Sequence, residues 1–158
     1  MGSGNIDSKG LVAFFMESNS DADESKVCRL AGYYREEAAI EGVNSDVAFV
    51  QMCLETGFLR FGGLVTEDMN NFCGLGSIGP GQPGLSFPSE RIGVRAHVQH
   101  LQAYGSSDLL VQELVDSRYR YVSPRGKAPF IGALGGTWAA DRQYGEKLAM
   151  LLSRLYRY

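Results

Sequence analysis

The segment of residues 47–54 constrains the fold more than any other part of the sequence. It is apolar at nearly every position, and Gln51 is its one polar residue. Residues 44–46, Asn-Ser-Asp, are types that cap helix N-termini, and Thr56-Gly57 offers a helix end. A helix that is apolar on all sides is buried on all sides, so we predict a central helix surrounded by others.

Hydrophobic periodicity predicts five further helices around this one. They cover residues 6–17, 23–41, 89–104, 107–115 and 141–156. The one candidate sheet is a hairpin, in which residues 74–78 and 85–87 flank a turn rich in Gly and Pro. The sequence therefore predicts a mostly α domain with a small β-hairpin or irregular lobe.

Length and composition suit one domain and exclude some functions. The chain has 158 residues, of which 44% are hydrophobic. Residues 1–5 are interpreted as the remnant of an expression vector, which leaves residues 6–158 as the domain. A net charge of −3 offers no general cationic face for nucleic acid. No apolar run approaches the roughly 20 residues of a membrane span, and we expect a monomer.

Glu55 stands out because it lies four residues after Gln51, which places both on one helix face. Two polar groups on one side of a buried helix indicate a wet cavity there. The helix C-terminus and partial burial both disfavour negative charge, so we expect the pKa of Glu55 to be raised. Such a carboxyl can donate a proton to a leaving oxygen. The competing interpretation is a solvated helix-end residue paired with Arg60.

Three segments resemble motifs of the glucosaminidase family, in the same order along the chain. Residues 48–57 are similar to its catalytic helix, which ends in Glu-Thr-Gly-aromatic or Glu-Ser-Gly-aromatic, as residues 55–58 do. Residues 70–75 resemble its Asn-x-Phe-Gly-Ile segment, and residues 138–148 its late aromatic-Ala-x-Asp-x-x-Tyr segment. The resemblance spans roughly residues 25–156. The enzymes of this family belong to glycoside hydrolase family 73 and are similar to flagellar peptidoglycan hydrolases and bacterial autolysins.

The resemblance implies a lysozyme-like fold with a cleft between the helical core and the small lobe. It implies that Glu55 is the general acid and that Tyr144 is the family's catalytically important tyrosine. The implied activity is cleavage of the β-1,4 bond between N-acetylglucosamine and N-acetylmuramic acid in peptidoglycan glycan strands. No cofactor or metal is implied. The implied location is secreted, periplasmic or associated with the cell wall, although no export signal is visible in this chain.

Several residues near these motifs suit sugar binding, which needs flat apolar surfaces and amide groups. The candidates for substrate binding are Gln51, Phe58, Asn70, Asn71, Phe72, Trp138 and Asp141. Core packing is the competing role for the aromatic residues, and turn formation is the competing role for the two asparagines. Gln51 is favoured most, because a buried amide needs partners.

The second catalytic group stays open at this point. No Asp or Glu lies between Asp68 and Glu90, so the hairpin candidate lacks the acidic residue that many relatives have there. Glu67, Asp68 or Glu90 could reach the cleft, and so could Asp141, whose other expected role is to cap the last helix. Alternatively, the 2-acetamido group of the substrate acts as an internal nucleophile, with Tyr144 stabilising the transition state.

Other functions compete with this prediction. A muramidase or lytic transglycosylase on the same fold stays open, as does a wall-binding module without catalysis. The G-x-G-x-x-G pattern of residues 74–79 lacks the strand and helix of a dinucleotide site. His97 and His100 have no acid or cysteine cluster to complete a metal site, so they are interpreted as a polar helix face. The three cysteines are expected to be small buried side chains.

Overall fold

The computed structural model describes residues 1–79 and 81–158. Five α-helices lie within these residues, namely α1 (Ser8–Ser18), α2 (Glu24–Glu41), α3 (Ser45–Thr56), α4 (Glu90–Gly105) and α5 (Tyr144–Leu155). Short 3-10 helices occupy Glu67–Met69, Tyr119–Tyr121 and Ile131–Leu134. Strand pairing in the described residues is limited to two isolated bridges. The predicted mostly α, lysozyme-like class is therefore confirmed.

Helix α3 forms the centre of the domain, as its apolar sequence predicts. It packs against the other four α-helices. The Asn44 side chain begins the helix by accepting the backbone N–H groups of Asp46 and Val47. The side chains of α3 that have no solvent exposure include Ala48, Phe49, Val50, Gln51, Met52 and Cys53. Burial of this apolar set anchors the helix whose last turn carries Glu55.

The chain reverses directly after α3 through a run of left-handed residues. Residues 57–59 have φ values of 58°, 54° and 63°. This conformation costs a residue with a Cβ about 1–2 kcal/mol, so surrounding contacts must compensate. The ring of Phe58 packs against Phe14 and Phe15 with centroids 5.8 Å and 5.4 Å away. Its carbonyl accepts the Asn19 side-chain amide at 2.8 Å. These contacts hold the end of α3 in place.

The lobe between α3 and α4 takes the irregular form rather than the hairpin. One backbone bond, from the N–H of Leu85 to the carbonyl of Leu75 at 2.9 Å, joins its two arms outside the turn. The Asn71 side chain completes the connection, because its amide nitrogen donates to the carbonyl of Leu75 and to that of Leu85, each at 2.9 Å. A buried side chain thus replaces strand pairing. Pro80, in the predicted turn, lies outside the described residues.

The lobe docks on α4 at Gly93. A Cβ atom at this position would lie 1.9 Å from the carbonyl oxygen of Asn70, so a larger residue would push the lobe away. Asn70 itself has a left-handed φ of 52° and donates its side-chain amide to the Phe87 carbonyl at 3.1 Å. The close approach of backbone to helix sets the distance between lobe and core.

The predicted helix at residues 107–115 is wrong. Its backbone bonds to side chains of the neighbouring helices instead of to itself. The Glu41 carboxylate accepts the N–H groups of Val111 at 2.8 Å and Gln112 at 3.0 Å. Leu109, within this segment, is 88% exposed. Tertiary partners therefore override the local helical pattern, because they satisfy the same backbone groups.

Helix α5 begins at Tyr144, three residues later than predicted. The Asp141 carboxylate accepts the N–H of Gln143 at 2.9 Å in the preceding turn, and Gln143 is the N-cap residue without a side-chain cap bond. No helix among residues 1–79 and 81–158 is both long and apolar enough to cross a membrane.

The first residues of the chain contact the domain. The N–H of Gly2 donates to the Gly42 carbonyl at 2.9 Å, and the N–H of Asn5 donates to the buried Asp46 carboxylate at 2.8 Å. This stretch therefore packs near the N-terminal end of α3.

Candidate active site

A groove of about 350 Å³ opens between the C-terminal end of α3 and the irregular lobe. The loop after α3 and the segment before α5 complete its walls. Its lining includes Glu55, Thr56, Phe61, Leu64, Val65, Asn71, Cys73, Gly74, Ser77, Trp138 and Ala139. Glu55 is the one carboxylate among these residues. The predicted wet side of the central helix is therefore an open groove at its last turn.

The two oxygens of the Glu55 carboxyl have different surroundings. Oε1 accepts the hydroxyl of Tyr144 at 2.7 Å and the indole N–H of Trp138 at 3.3 Å. Oε2 accepts no hydrogen bond from any described residue, and it lies 4.0 Å from where a Cβ on Gly74 would stand. Because two donors occupy Oε1, the proton of the acid form belongs on Oε2. That oxygen can present its proton to a ligand in the groove.

Burial raises the pKa of Glu55, and the hydrogen bonds from Tyr144 and Trp138 oppose that effect without cancelling it. The side chain keeps contact with solvent because the groove is open. Both donors are neutral, and neutral donors stabilise a carboxylate less than a cation does. The surroundings therefore shift the pKa of Glu55 upward, which is the direction that general acid catalysis requires.

Tyr144 and Trp138 hold the carboxyl from two different segments. Tyr144 begins α5 and is buried, and its burial together with the charge of Glu55 raises the pKa of its hydroxyl. It therefore stays a hydrogen-bond donor at all physiological pH values. The Trp138 ring packs against His100 and Tyr104, with centroids 5.2 Å away in both cases. The carboxyl is thus oriented by groups that are themselves fixed.

A buried polar chain lies behind these residues. The Tyr34 hydroxyl bonds Nδ1 of His97 at 2.7 Å, and Nε2 of His97 bonds Oε1 of Gln51 at 2.7 Å. The Gln51 oxygen can only accept, so His97 carries its proton on Nε2. Burial lowers the pKa of His97 to about 3, which keeps the ring neutral. The Gln51 amide lies beside Tyr144 and lowers the pKa of that hydroxyl.

Gln51 has a different position from the one expected for a substrate ligand. It is fully buried and is absent from the groove lining. Its amide nitrogen has no partner within hydrogen-bond distance, although it lies near enough to Tyr144 to act on its hydroxyl. The structure thus places Gln51 behind Tyr144 instead of against a ligand.

The predicted aromatic ligands separate into two groups. Trp138 lines the groove and contacts Glu55. Phe72 is fully buried in the core, and Phe58 packs against α1 and lines a separate hollow between α3 and α5. The competing role of core packing therefore describes Phe58 and Phe72 in this structure.

The polar candidates also differ in position. Asn71 lines the groove, but its amide is engaged by the lobe backbone, and Asn70 occupies a turn against α4. Asp141 is exposed and forms an ion pair with Lys147 outside the groove. Of these three residues, the structure brings only Asn71 close to Glu55.

The interpretation of His97 and His100 as a polar helix face is wrong. His97 is fully buried, and His100 pairs with the buried Asp116 at 2.6 Å. The spacing held a usable signal, because His97 falls three residues after Val94 and four before Leu101, within the apolar stripe of α4. A histidine inside such a stripe indicates a buried hydrogen-bonded ring.

The surroundings of Cys73 do not suit a catalytic nucleophile. Burial raises the pKa of the Cys73 thiol well above its ordinary value, with further contributions from Glu55 and Asp116. A protonated buried thiol is a poor nucleophile. Cys28 is exposed, so the expectation of three buried cysteines is wrong for that residue. The described residues contain no group of three or more His, Cys, Asp or Glu side chains suited to a metal ion.

One carboxyl with a raised pKa lines the groove of this mostly α domain, an arrangement that is typical of glycosidases. The sequence profile described as mannosyl-glycoprotein endo-beta-N-acetylglucosaminidase matches residues 31–157, and the chain belongs to this glucosaminidase family. The resemblance seen in the three motifs is thereby confirmed. The chain is also similar to an uncharacterized protein of Borreliella burgdorferi. The two are 41% identical over 148 residues, which cover 94% of this chain and 72% of that protein. No solved structure gives a significant match.

Proposed function

We propose that this domain is an endo-β-N-acetylglucosaminidase that hydrolyses the β-1,4 bond between N-acetylglucosamine and N-acetylmuramic acid in peptidoglycan. The observation that carries the proposal is the Glu55 carboxyl, whose Oε1 is held by Tyr144 and Trp138 while Oε2 is open to the groove. Family membership supports a glycosidase acting on this polymer. Its place of action would be periplasmic, secreted or at the cell wall, where the polymer is.

Glu55 acts as the general acid in this proposal. The raised pKa favours the protonated form more than in an ordinary glutamate, and Oε2 delivers the proton to the glycosidic oxygen as the bond to C1 breaks. Tyr144 and Trp138 keep the carboxyl in one orientation, and they stabilise the carboxylate that remains after proton transfer. General acid catalysis of this kind contributes about 10²–10⁴-fold to the rate.

The acetamido group of the substrate supplies the nucleophile. The other candidate acids are engaged away from the groove, since Glu67 pairs with Lys26 at 3.0 Å and Glu90 pairs with Arg29 at 2.8 Å. Asp68 accepts the hydroxyl of Thr66. With one carboxylate lining the described groove, substrate assistance is the route that needs no second protein acid.

The proposed steps balance without any further reagent. The acetamido carbonyl oxygen bonds to C1 of its own sugar while the bond from C1 to the leaving oxygen breaks, and that oxygen takes the proton of Glu55. Water then attacks C1 of the cyclic oxazolinium intermediate and gives a proton to the Glu55 carboxylate, while the bond from C1 to the acetamido oxygen breaks and the acetamido group is restored. The acid is regenerated, and the new reducing sugar keeps the β configuration.

A lytic transglycosylase is the second candidate, because one carboxylate in the groove also suits that reaction. There, a hydroxyl of the muramic acid residue replaces water and closes a 1,6-anhydro ring. The same geometry therefore supports two reactions that differ in the nucleophile and in the bond cut.

Product analysis tests the proposal. Purified sacculi are digested, fresh reducing ends are labelled by borohydride reduction, and fragments are identified by mass spectrometry. We expect N-acetylglucosamine at the reducing ends, and proton NMR during digestion should show the β anomer first. The Glu55→Gln variant, which keeps the shape of the side chain, should release no reducing sugar above background.

Each other outcome selects a different function. Reduced muramic acid ends would indicate a muramidase, and 1,6-anhydromuramic ends a transglycosylase. Glycan binding by the wild-type protein without any cleavage would indicate a wall-binding module. Wild-type activity in Glu55→Gln would overturn the assignment of the acid.

A further inference from the structure

A second hollow of about 160 Å³ adjoins the groove on the far side of Trp138. The two share Cys73, Gly74, Ser77 and Trp138 in their linings. A polymer that lies in the groove therefore has a continuation beyond the indole ring. An endo-acting glycosidase needs such a continuation, because its substrate extends on both sides of the cleaved bond.

Arg118 is the cationic group of this hollow that has no ion-pair partner. Its guanidinium carbon stands 5.0 Å from the ring centroid of Tyr121, and no carboxylate among the described residues pairs with it. In contrast, Arg29, Arg91 and Arg95 all form ion pairs with glutamates of α2 or α4. Arg118 thus keeps its donors for another acceptor.

His100 also lines the hollow, but its ring already contacts a carboxylate. Its Nδ1 lies 2.6 Å from Oδ2 of Asp116, and Asp116 is fully buried. The buried carboxylate holds the imidazole ring in place. Arg118 is therefore the group in this hollow that can attract a new anion.

The local charge around Arg118 differs from that of the whole chain. Residues 118–127 contain three arginines and one lysine and no Asp or Glu, whereas the chain has a net charge of −3. Lys127 stands 5.3 Å over the ring of Tyr104, which also lines the hollow. A concave surface lined by positive charges raises the local concentration of anionic ligands.

We propose that Arg118 binds a carboxylate carried by the muramic acid residue next to the cleaved bond, an inference that rests on the proposed function. N-acetylmuramic acid differs from N-acetylglucosamine by a lactyl ether, which ends in a free carboxylate or in the stem peptide. The planar guanidinium matches a carboxylate with two parallel N–H donors. Tyr104 and Trp138 offer ring faces for the sugar itself.

Two sources can supply this carboxylate, and different substrates separate them. Glycan strands stripped of peptide expose the lactyl carboxylate, and the same strands after methyl esterification carry no charge there. Intact strands carry carboxylates in the stem peptide only. These three substrates share the glycosidic bond, so differences in KM report the recognition of the acid.

The test compares wild type, Arg118→Gln and a matched control, Arg120→Gln, on these substrates. Arg120 belongs to the same basic segment but lies outside the hollow, where it contacts the Tyr121 hydroxyl. For Arg118→Gln we expect KM on stripped strands to rise about tenfold or more, with kcat nearly unchanged, because a hydrogen bond to a charged group is lost. Arg120→Gln should behave like wild type.

Esterified strands should show the same KM with wild type and Arg118→Gln. Added salt should raise the KM of wild type on stripped strands more than that of the variant. A larger effect on intact strands than on stripped strands would assign the carboxylate to the stem peptide. An equal loss on esterified and stripped strands would overturn the proposal, because Arg118 would then act without an acid partner.

Binding measurements keep this inference separate from the proposed function. Calorimetry with stripped and esterified strands, in a Glu55→Gln background that cannot cleave, tests the same preference. If wild type cut no strand but the preference for the free acid depended on Arg118, the proposed function would fail and the carboxylate site would stand. If binding showed no such preference, the carboxylate site would fail whatever the activity.

Discussion

Two glutamates on neighbouring helices meet opposite electrostatic surroundings in this domain. Glu37 of α2 is fully buried, whereas Glu55 of α3 opens into the groove. Burial acts to raise the pKa of Glu37, but hydrogen bonds from Arg95 and Gln112 outweigh burial, and the pKa is lowered. Burial also raises the pKa of Glu55, and there it prevails.

The hydrogen-bond partners of each carboxylate, together with burial, set the direction of its pKa shift. Arg91 and Arg95 contact the Glu37 carboxylate at 3.0 Å and 2.9 Å and carry positive charge. Both donors to Glu55 are neutral. Glu37 thus joins α2 to α4 through ion pairs, whereas the pKa of Glu55 is raised.

Replacing each glutamate by glutamine should separate the two roles most clearly. Glu55→Gln should lower kcat by about 10³-fold, because the proton donor is lost, and should leave the free energy of unfolding equal or slightly higher. Glu37→Gln should keep kcat per folded molecule but lower the free energy of unfolding by about 2–3 kcal/mol, because buried charge-assisted bonds are lost. Initial rates on sacculi and urea unfolding measure both.

The pH dependence of the free energy of unfolding gives a further test of the role of Glu37. The lowered pKa of Glu37 means that its contribution to stability is present above the ordinary glutamate value of 4.5 and is lost as pH falls through the folded pKa. Glu37→Gln should therefore flatten the stability curve in that acid range. Equal stability of Glu37→Gln and wild type at pH 7 would contradict the comparison.

Removing one neutral hydrogen-bond donor should shift the pKa of Glu55 in a defined direction. In Tyr144→Phe the hydrogen bond that lowers the pKa of Glu55 is gone, so that pKa rises further and the alkaline limb of the kcat profile moves to higher pH. We expect kcat at the optimum to fall by about 10–100-fold, because Oε1 is no longer oriented. Trp138→Phe, which removes the longer 3.3 Å bond, is the matched variant and should shift the limb less. A limb that moves to lower pH in Tyr144→Phe would refute this arrangement.

The smallest expected effect concerns His97, whose ring bonds Tyr34 of α2 and Gln51 of α3. Its pKa falls from the ordinary value of 6.5 to about 3, so below pH 6.5 the unfolded chain binds a proton that the folded protein does not. Its contribution to stability is present above pH 6.5 and is lost as pH falls, by about 1.4 kcal/mol at pH 5.5.

This contribution is measured by comparing the free energies of unfolding of Glu55→Gln and Glu55→Gln/His97→Gln. Both variants lack the Glu55 carboxyl, whose raised pKa would change stability with pH in the opposite direction. Urea unfolding at pH 7.5 and pH 5.5 should show the loss in the first variant and a smaller loss in the second. The same loss in both would mean that the protonation of His97 is not linked to folding.

Much of the site was predictable from local sequence. The apolar run around Gln51, the capping residues before it and the Thr56-Gly57 end are local signals, and they placed Glu55 at the end of a buried helix. The motif order then assigned the family. Residues 107–115 and the lobe were not predictable in this way, because side chains satisfy their backbone groups: Glu41, 70 positions away from Val111, for the first segment, and Asn71 for the lobe.

Local residue patterns specify the central helix, the position of the glutamate in its last turn and the family, because these depend on the spacing and type of neighbouring residues. Which groups contact that glutamate depends on the packing of distant segments. Tyr144 is separated from Glu55 by 89 positions and Trp138 by 83, so no local pattern reports their contact. The pKa of Glu55 depends on those contacts, because the charge and distance of partners set the energy of its ionised form.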